Sequence, residues 1–583
     1  MTKFLIGLFT GVALTVLTAV IVVFALARAG GERQPAVEQG SILVLRLEGE
    51  IPEKAPLQLP LPFFERQAPP TVKDVWDVLR KAAVDPRIRG VLLEPRGVQA
   101  GWAKLQEIRA GVEKFRKSGK PVVAHLEAAG TREYYLASAA DQVLMPPEEL
   151  LDMKGLRAEL TFFRRTFDKL GVQVEILHAG KYKDFGDMFV RDKMSPETRE
   201  VLDSLLDEIY GHLVAAVAAA RKKTPEEVQA IIDQGPFLAK RAKELGLVDD
   251  LMYDDQVLEL LKKRTNSSEI KQVSLRDYAK IPAASLGLEG GSKIALVVGQ
   301  GSILPGEINE DPFTGDSGGI GAITFNKLLK RVADDASVRG VIVRIDSPGG
   351  DAMASDAIWR EMKRLSRKKP LVISMSDVAA SGGYYIAMSG DEILAYPGTF
   401  TGSIGVVFGK ANLRGLYDKL GITKDFLTRG RNANIDSEYF PLSEEGRRKL
   451  REGVDHTYQT FVAKAAESRK RKTEELEPLA QGRVWLGAQA KANGLVDDLG
   501  GLDQALELIR KKAKLAADDK LTLVMYPPRR NVFDVLFRES NETVLELGIA
   551  RRWAERIGLP WDQLQLWSRG GMLAVMPFDL AVR

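Results

Sequence analysis

Ser403 stands in the run Thr401-Gly402-Ser403-Ile404-Gly405, with one glycine directly before it and another two positions after, a setting that presents its hydroxyl on an exposed turn. A serine hydroxyl attacks poorly at its free pKa and needs a base within reach. The histidines are His125, His178, His212 and His456, and none falls in a recognisable triad motif. Triad partners meet only in space, so the sequence leaves that arrangement open. Lysine is the available alternative, because burial disfavours the ammonium and lowers its pKa until the neutral amine can accept a serine proton. Lys183, in Gly180-Lys181-Tyr182-Lys183, is the candidate base.

An internal repeat singles out these two residues. The first copy reads Gly171…Leu177-His178-Ala179-Gly180-Lys181-Tyr182-Lys183 where the second reads Gly421…Leu427-Thr428-Arg429-Gly430-Arg431-Asn432-Ala433, so Lys183 aligns with Ala433. Conversely, Asp141-Gln142-Val143-Leu144 leads to Met153 in one copy as Asp391-Glu392-Ile393-Leu394 leads to Ser403 in the other. Each copy keeps what the other lacks, which predicts one composite site per pair of domains. Asp184 and Asp187 follow the lysine closely, and a carboxylate that approached it would favour the charged amine and oppose its use as a base.

Two further small-residue turns accompany the serine, Asp346-Ser347-Pro348-Gly349-Gly350 and Ala379-Ala380-Ser381-Gly382-Gly383-Tyr384-Tyr385. Without a Cβ the backbone can approach a ligand closely, and free N–H groups there can stabilise an oxyanion. Gly349 and Gly350 lie directly before a helical pattern at Ala352–Leu365 and suit that role; the first copy has Arg96-Gly97-Val98-Gln99-Ala100 instead. Gly315-Asp316-Ser317-Gly318-Gly319 is similar to the nucleophile segment of chymotrypsin-type proteases, but those are all-β and their histidine motif is absent, so Ser317 is read as part of a loop. No metal-binding HExxH, phosphate-binding loop or dinucleotide fingerprint occurs, so neither a metal nor a cofactor is implied.

The elements that must position these residues alternate. Val72–Ala83 has helical spacing and leads into the apolar strand Val91-Leu92-Leu93; Thr324–Ala333 leads likewise into Val341-Ile342-Val343. Such alternation predicts an α/β domain with buried, mostly parallel strands, built twice. The chain of 583 residues accommodates 41–266 as the N-terminal domain that supplies the lysine and 292–515 as the C-terminal domain that supplies the serine. Residues 267–291 read as a joint, and 516–583 as an extension without a counterpart in the first copy, with an amphipathic pattern at Glu542–Ile557.

Lysine plus arginine outnumber aspartate plus glutamate only by 83 to 79, interspersed, which argues against nucleic acid as a partner. The absence of cysteine removes disulfides and thiolate chemistry. Phe4–Ala27 is 24 residues without a charge, enough helix to cross a bilayer. It exceeds the usual apolar region of a cleaved signal and predicts an uncleaved transmembrane anchor over 4–27, with positive flanks that leave its orientation open.

Together the motifs Ser-Pro-Gly-Gly, Ala-Ser-Gly-Gly-Tyr-Tyr and Thr-Gly-Ser-Ile-Gly, in this order within a duplicated chain, resemble the long form of the signal peptide peptidase A (protease IV) family. The resemblance implies a tandem Clp protease/crotonase-like fold and Ser/Lys-dyad endopeptidase activity. By motif position it makes Ser403 the nucleophile, Lys183 the general base and Gly349-Gly350 the oxyanion turn. It further implies a homotetramer, single-pass in the bacterial inner membrane with catalytic domains facing the periplasm or cell exterior. Its implied substrates are cleaved signal peptides and other short unfolded segments. Two rival readings remain at this level: a crotonase-like enzyme of acyl-thioesters, which would not need Ser403, and a non-catalytic membrane scaffold.

Overall fold

The computed structural model describes residues 37–54, 69–267, 269–308, 318–527 and 571–576, with isolated helical positions at Gly7, Gly11, Leu14, Thr15 and Thr18. Among the described residues no helix is long and apolar enough to cross a membrane. The expected anchor over 4–27 falls outside them apart from those positions, as do Ser317 and the amphipathic pattern at 542–557.

Each copy forms a parallel sheet, and the two run in the same strand order. In the first copy it is Lys271–Ser274, Ser41–Glu50, Ile88–Gln99, Val122–His125, Gln142–Met145 and Asp250–Leu251. In the second it is Thr522–Tyr526, Lys293–Gln300, Val338–Ser347, Leu371–Ala380, Glu392–Ala395 and Asp498–Leu499. Val91, Leu93, Val341 and Val343 are fully buried, as continuous apolar runs covered on both faces require. Helices Val72–Val84 and Ala322–Asp334 cross over before the second strand of each sheet; Thr71 and Asp74 cap the first of them reciprocally.

The edge strands depart from the sequence reading. Lys271–Ser274 falls in what reads as a joint and Thr522–Tyr526 in the extension, yet each pairs in parallel with the first strand of its copy. The extension therefore has a counterpart in the first copy at this strand. Edge strands carry few packing constraints on one side, so their residues form only a weak pattern and the match between the copies shows in the pairing alone.

A third sheet joins the copies. Its order is Ile320–Gly321, Ile303–Leu304, Gly349–Asp351, Leu573–Val575, Val406–Asn412 and Gln173–Ala179. The last two are antiparallel in the register Ala179↔Val406 through Gln173↔Asn412, so the strand leading to Lys183 zips onto the strand that follows Ser403.

Paired charges close the seam beneath. Arg344 of the second copy meets Glu53 (2.9 Å) and Glu107 (2.6 Å) of the first, all three buried. Lys104 of the first copy reaches Asp346 at 2.8 Å, while Asp377 accepts the N–H groups of Gly101 (2.8 Å) and Lys104 (2.9 Å) and so caps the first-copy helix Trp102–Arg116. Buried charges are tolerable only when paired in this way, and here they fix one copy's strand ends against the other's helix.

Candidate active site

The short strand Phe400–Gly402 pairs in parallel with the end of Leu371–Ala380 and, on its other side, antiparallel with Val484–Leu486. The chain then turns sharply, with Gly402 at φ +72° and Ser403 itself at φ +51°. A side chain in that region costs about 1–3 kcal/mol and persists where surrounding bonds hold it. Here the Ser403 N–H donates to the Arg483 carbonyl (2.7 Å) and the Gly402 carbonyl accepts from the Ser381 N–H (2.8 Å). Ser403 is fully buried, not exposed as its glycine setting suggested, because the Lys183 loop and the surrounding strands close over the turn.

After Gln173–Ala179 the first copy's chain bends at Gly180 (φ +109°) and Lys183 enters the second copy. Two glycines open its path: a Cβ on Gly482 would stand 2.6 Å from Lys183 Cβ, and one on Gly405 would stand 3.0 Å from Lys183 Cδ. The Tyr182 N–H donates to the Gln481 carbonyl (2.7 Å), fastening the loop on the far side.

The Lys183 Nζ lies 2.9 Å from Ser403 Oγ, 2.9 Å from the Ser403 carbonyl oxygen and 2.7 Å from Ser381 Oγ. Lys183 has no exposed surface, and burial holds its amine well below the ordinary lysine range; the nearby Asp184 charge acts the other way and less strongly. The acids beside the lysine turn elsewhere. Asp184, pushed up to about 6 by its own burial, accepts from the Thr198 hydroxyl, and Asp187 pairs with Arg191 at 2.8 Å.

A neutral amine has two N–H donors and one lone pair. The Ser403 carbonyl can only accept, so it takes one N–H; the Ser381 hydroxyl takes the second. The lone pair is then left facing Ser403 Oγ, in the orientation that lets it accept the hydroxyl proton.

Ser381 is the member that sequence reasoning did not assign. Its motif was visible, but nothing in Ala-Ser-Gly-Gly separates a site hydroxyl from a turn serine. The informative signal is conformational: Ser381 sits at φ +54°, ψ −112° at the start of the helix Gly382–Ala387, fully buried. Among the described residues Ser403 Oγ bonds to Lys183 and to no histidine; His125 lies 3.1 Å from Asp254 and His212 3.2 Å from Glu208.

Gly349 (φ +102°) and Gly350 (φ +156°) form a short strand and not a free loop. The Gly349 N–H donates to Ser347 Oγ at 3.2 Å, and the register sets Gly350 against Ile303 on one side and Ala574 on the other. A Cβ on Gly349 would stand 2.7 Å from the Gly382 nitrogen, so the two glycine turns are in backbone contact.

Comparison with known proteins follows the same division. Residues 114–268 and 363–516 each match the model of Peptidase family S49. The chain is 38% identical over 506 residues to "Serine protease SPPA, chloroplastic" of Arabidopsis thaliana, covering 86% of this chain and 73% of that one. It is 33% identical over 479 residues to "Protease 4" of Salmonella typhi, covering 79% and 75% respectively. A "Putative signal peptide peptidase SppA" of Enterococcus faecium is 38% identical over 192 residues, 33% of this chain and 56% of that one.

Proposed function

The chain belongs to Peptidase family S49 and is a serine protease, and from that premise we propose that Ser403 is its nucleophile and Lys183 its general base. The observation that carries this reading is the 2.9 Å contact between a fully buried lysine and the serine hydroxyl. Neutral Lys183 takes the Ser403 proton as Oγ attacks a peptide carbonyl, and the resulting ammonium then protonates the leaving amine. Water then gives its proton to Lys183 as it attacks the acyl carbonyl, the bond to Ser403 Oγ breaks, and Oγ recovers the proton from Lys183 as the carboxylic product leaves. Ser381 positions the amine throughout by accepting one of its hydrogens.

The backbone N–H groups of the Gly349-Gly350 turn would donate to the substrate backbone and the reacting carbonyl oxygen, the role that preorganised N–H groups perform in acyl transfer. The substrates we assign are cleaved signal peptides and other short unfolded segments, in line with the name of the Enterococcus faecium relative. The finer architecture is a tandem Clp protease/crotonase-like fold. The uncharged run at 4–27 supports a membrane anchor, with the catalytic domains outside the cytoplasm in a homotetramer.

A fluorophosphonate that esterifies active serines tests the assignment. It should label one residue, Ser403, in the unaltered protein and fail to label the Lys183→Ala variant. Modification mapped to any other serine would overturn it.

A further inference from the structure

The segment Gln481-Gly482-Arg483 touches both members of the dyad. The Gln481 carbonyl accepts the N–H of Tyr182 (2.7 Å), the residue before Lys183, and its side-chain oxygen accepts the Lys181 N–H (2.9 Å). The Gly482 N–H donates to the Ile404 carbonyl (2.8 Å), and the Arg483 carbonyl accepts the Ser403 N–H (2.7 Å). Gln481 and Gly482 turn the chain between these bonds at φ +53° and +77°. The base loop lies directly against this turn: a Cβ on Gly180 would stand 2.6 Å from the Gln481 carbonyl carbon.

The Arg483 side chain makes the same connection a second time. Its guanidinium carbon lies over the Tyr182 ring at 5.1 Å and over the Trp485 ring at 4.6 Å, within cation–π range of both. Tyr182 belongs to the base loop, whereas Trp485 faces Thr401 on the strand that leads to Ser403. Glu200, on the first-copy helix Pro196–Arg221, accepts from the Arg483 guanidinium and from the Tyr182 hydroxyl (3.1 Å). The arginine is thus shared between the two copies beside the place where lysine and serine meet.

The first copy has nothing equivalent. The register that sets Trp485 against Thr401 sets Phe237 against Leu151, so Gly235 stands where the second copy has Arg483. The arginine accompanies the serine, as Gly235 accompanies Met153.

We propose that Arg483 is a positioning residue for the dyad: its guanidinium, lying over Tyr182 and Trp485 and paired with Glu200, latches the base loop of the first copy onto the nucleophile turn of the second, sets the approach of Lys183 Nζ to Ser403 Oγ and keeps water from the amine. The inference rests on the assignment of Ser403 and Lys183 as nucleophile and base. The latch needs a flat cation with several fixed donors, so lysine is no substitute for arginine at this position.

The test uses the full chain. Arg483→Ala and Arg483→Lys should each lower kcat for a short peptide by about 10–10²-fold with KM nearly constant, the cost of a dyad displaced by a fraction of an ångström to an ångström. The second readout is the rising limb of kcat/KM against pH. Burial is what holds the Lys183 amine low, so a loosened loop that admits water should move the limb to higher pH, by about one unit. Loss of the arginine's charge would move it the same way through its field alone, so Glu200→Ala decides. That variant removes a half-exposed acid at a helical position: the field by itself would move the limb to lower pH, and loss of the latch moves it to higher pH. Lys181 and Asp184, the other charges beside Tyr182 and Lys183, are unaltered in all three proteins. A limb that falls or stays in place in Glu200→Ala, or full kcat in either Arg483 variant, would overturn the positioning role while leaving the dyad intact. A parent protein that cleaves no peptide, or cleavage that survives Ser403→Ala, would remove the dyad and this proposal with it.

Discussion

The two copies answer the same backbone geometry with opposite chemistry. In the second, Gly383 lets the backbone close up beside the glycine turn; a Cβ there would stand 2.5 Å from the Ser347 carbonyl oxygen. In the first, the matching residue is Glu133, whose carboxylate accepts the N–H of Val98 at 2.6 Å and that of Gly130 at 2.9 Å. A built-in carboxylate caps the first copy's turn, where the second copy has Pro348 at the position of Val98 and no N–H to offer there. Likewise Met153 fills the first copy's core at Ser403's position, and Ala433, at the lysine's position, is exposed. On the proposed assignment, the first copy fills or satisfies the positions that the second leaves open, and contributes Lys183 to the second copy's site.

The sharpest way to break this asymmetry is at the dyad. Ser403→Ala and Lys183→Ala should each cut peptide cleavage by at least about 10⁴-fold, measured at steady state on folded protein, because the groups act as a unit. Met153→Ser should leave total cleavage unchanged, since Ala433 stands at the position that matches Lys183. Cleavage that survives either dyad variant would mean the first copy, or another residue, is active.

The seam comes next. Lys104→Met leaves Asp346 and Asp377 without their counter-ion and should destabilise the chain by about 3–5 kcal/mol in denaturant unfolding. Unchanged stability would mean that the copies do not depend on these charges to stay in register.

Transplanting the first copy's acid is a milder intervention. Gly383→Glu should lower kcat by about 10²–10³-fold, the size of a disturbed oxyanion site, because its Cβ presses on the Ser347 carbonyl beside the Gly349-Gly350 turn, while fluorophosphonate labelling falls in parallel. Retained kcat would show that the Glu133 carboxylate has no bearing on the missing activity of its copy. Ser381→Ala should reduce kcat by about 10–10²-fold with KM nearly constant, since it removes an orienting bond and no substrate contact.

The smallest effect is electrostatic. Activity requires the neutral amine, so kcat/KM should rise with pH as Lys183 loses its proton; burial places that limb below the pKa of free lysine, about 10.4. The Asp184 charge raises the lysine's affinity for a proton, so Asp184→Asn should move the rising limb to lower pH, read from kcat/KM profiles of the two proteins. A shift to higher pH would show that Asp184 does not act through its charge on the lysine.

Much of this was legible in the sequence. The copies report on each other, and a lysine matched by alanine or a serine matched by methionine is a chemical difference at a known position. The apolar runs at Val91–Leu93 and Val341–Val343 mark buried parallel strands for the same local reason in both copies. Ser381 was not legible, because its role lies in a strained φ and in one bond to a residue far away in the chain. The edge strands Lys271–Ser274 and Thr522–Tyr526 escaped because pairing on a single side leaves a weak pattern.

The sequence by itself determined the duplication, the complementary loss of serine and lysine, and the strand–helix alternation, since each is written in residue type and spacing along one stretch of chain. Only the tertiary structure decided that the two residues meet at 2.9 Å, that Ser403 is buried, and that Leu573–Val575 lies between Gly349–Asp351 and Val406–Asn412, antiparallel to both. Those facts depend on contacts between residues hundreds of positions apart, and local propensity and periodicity carry no information about which distant segments will pack together.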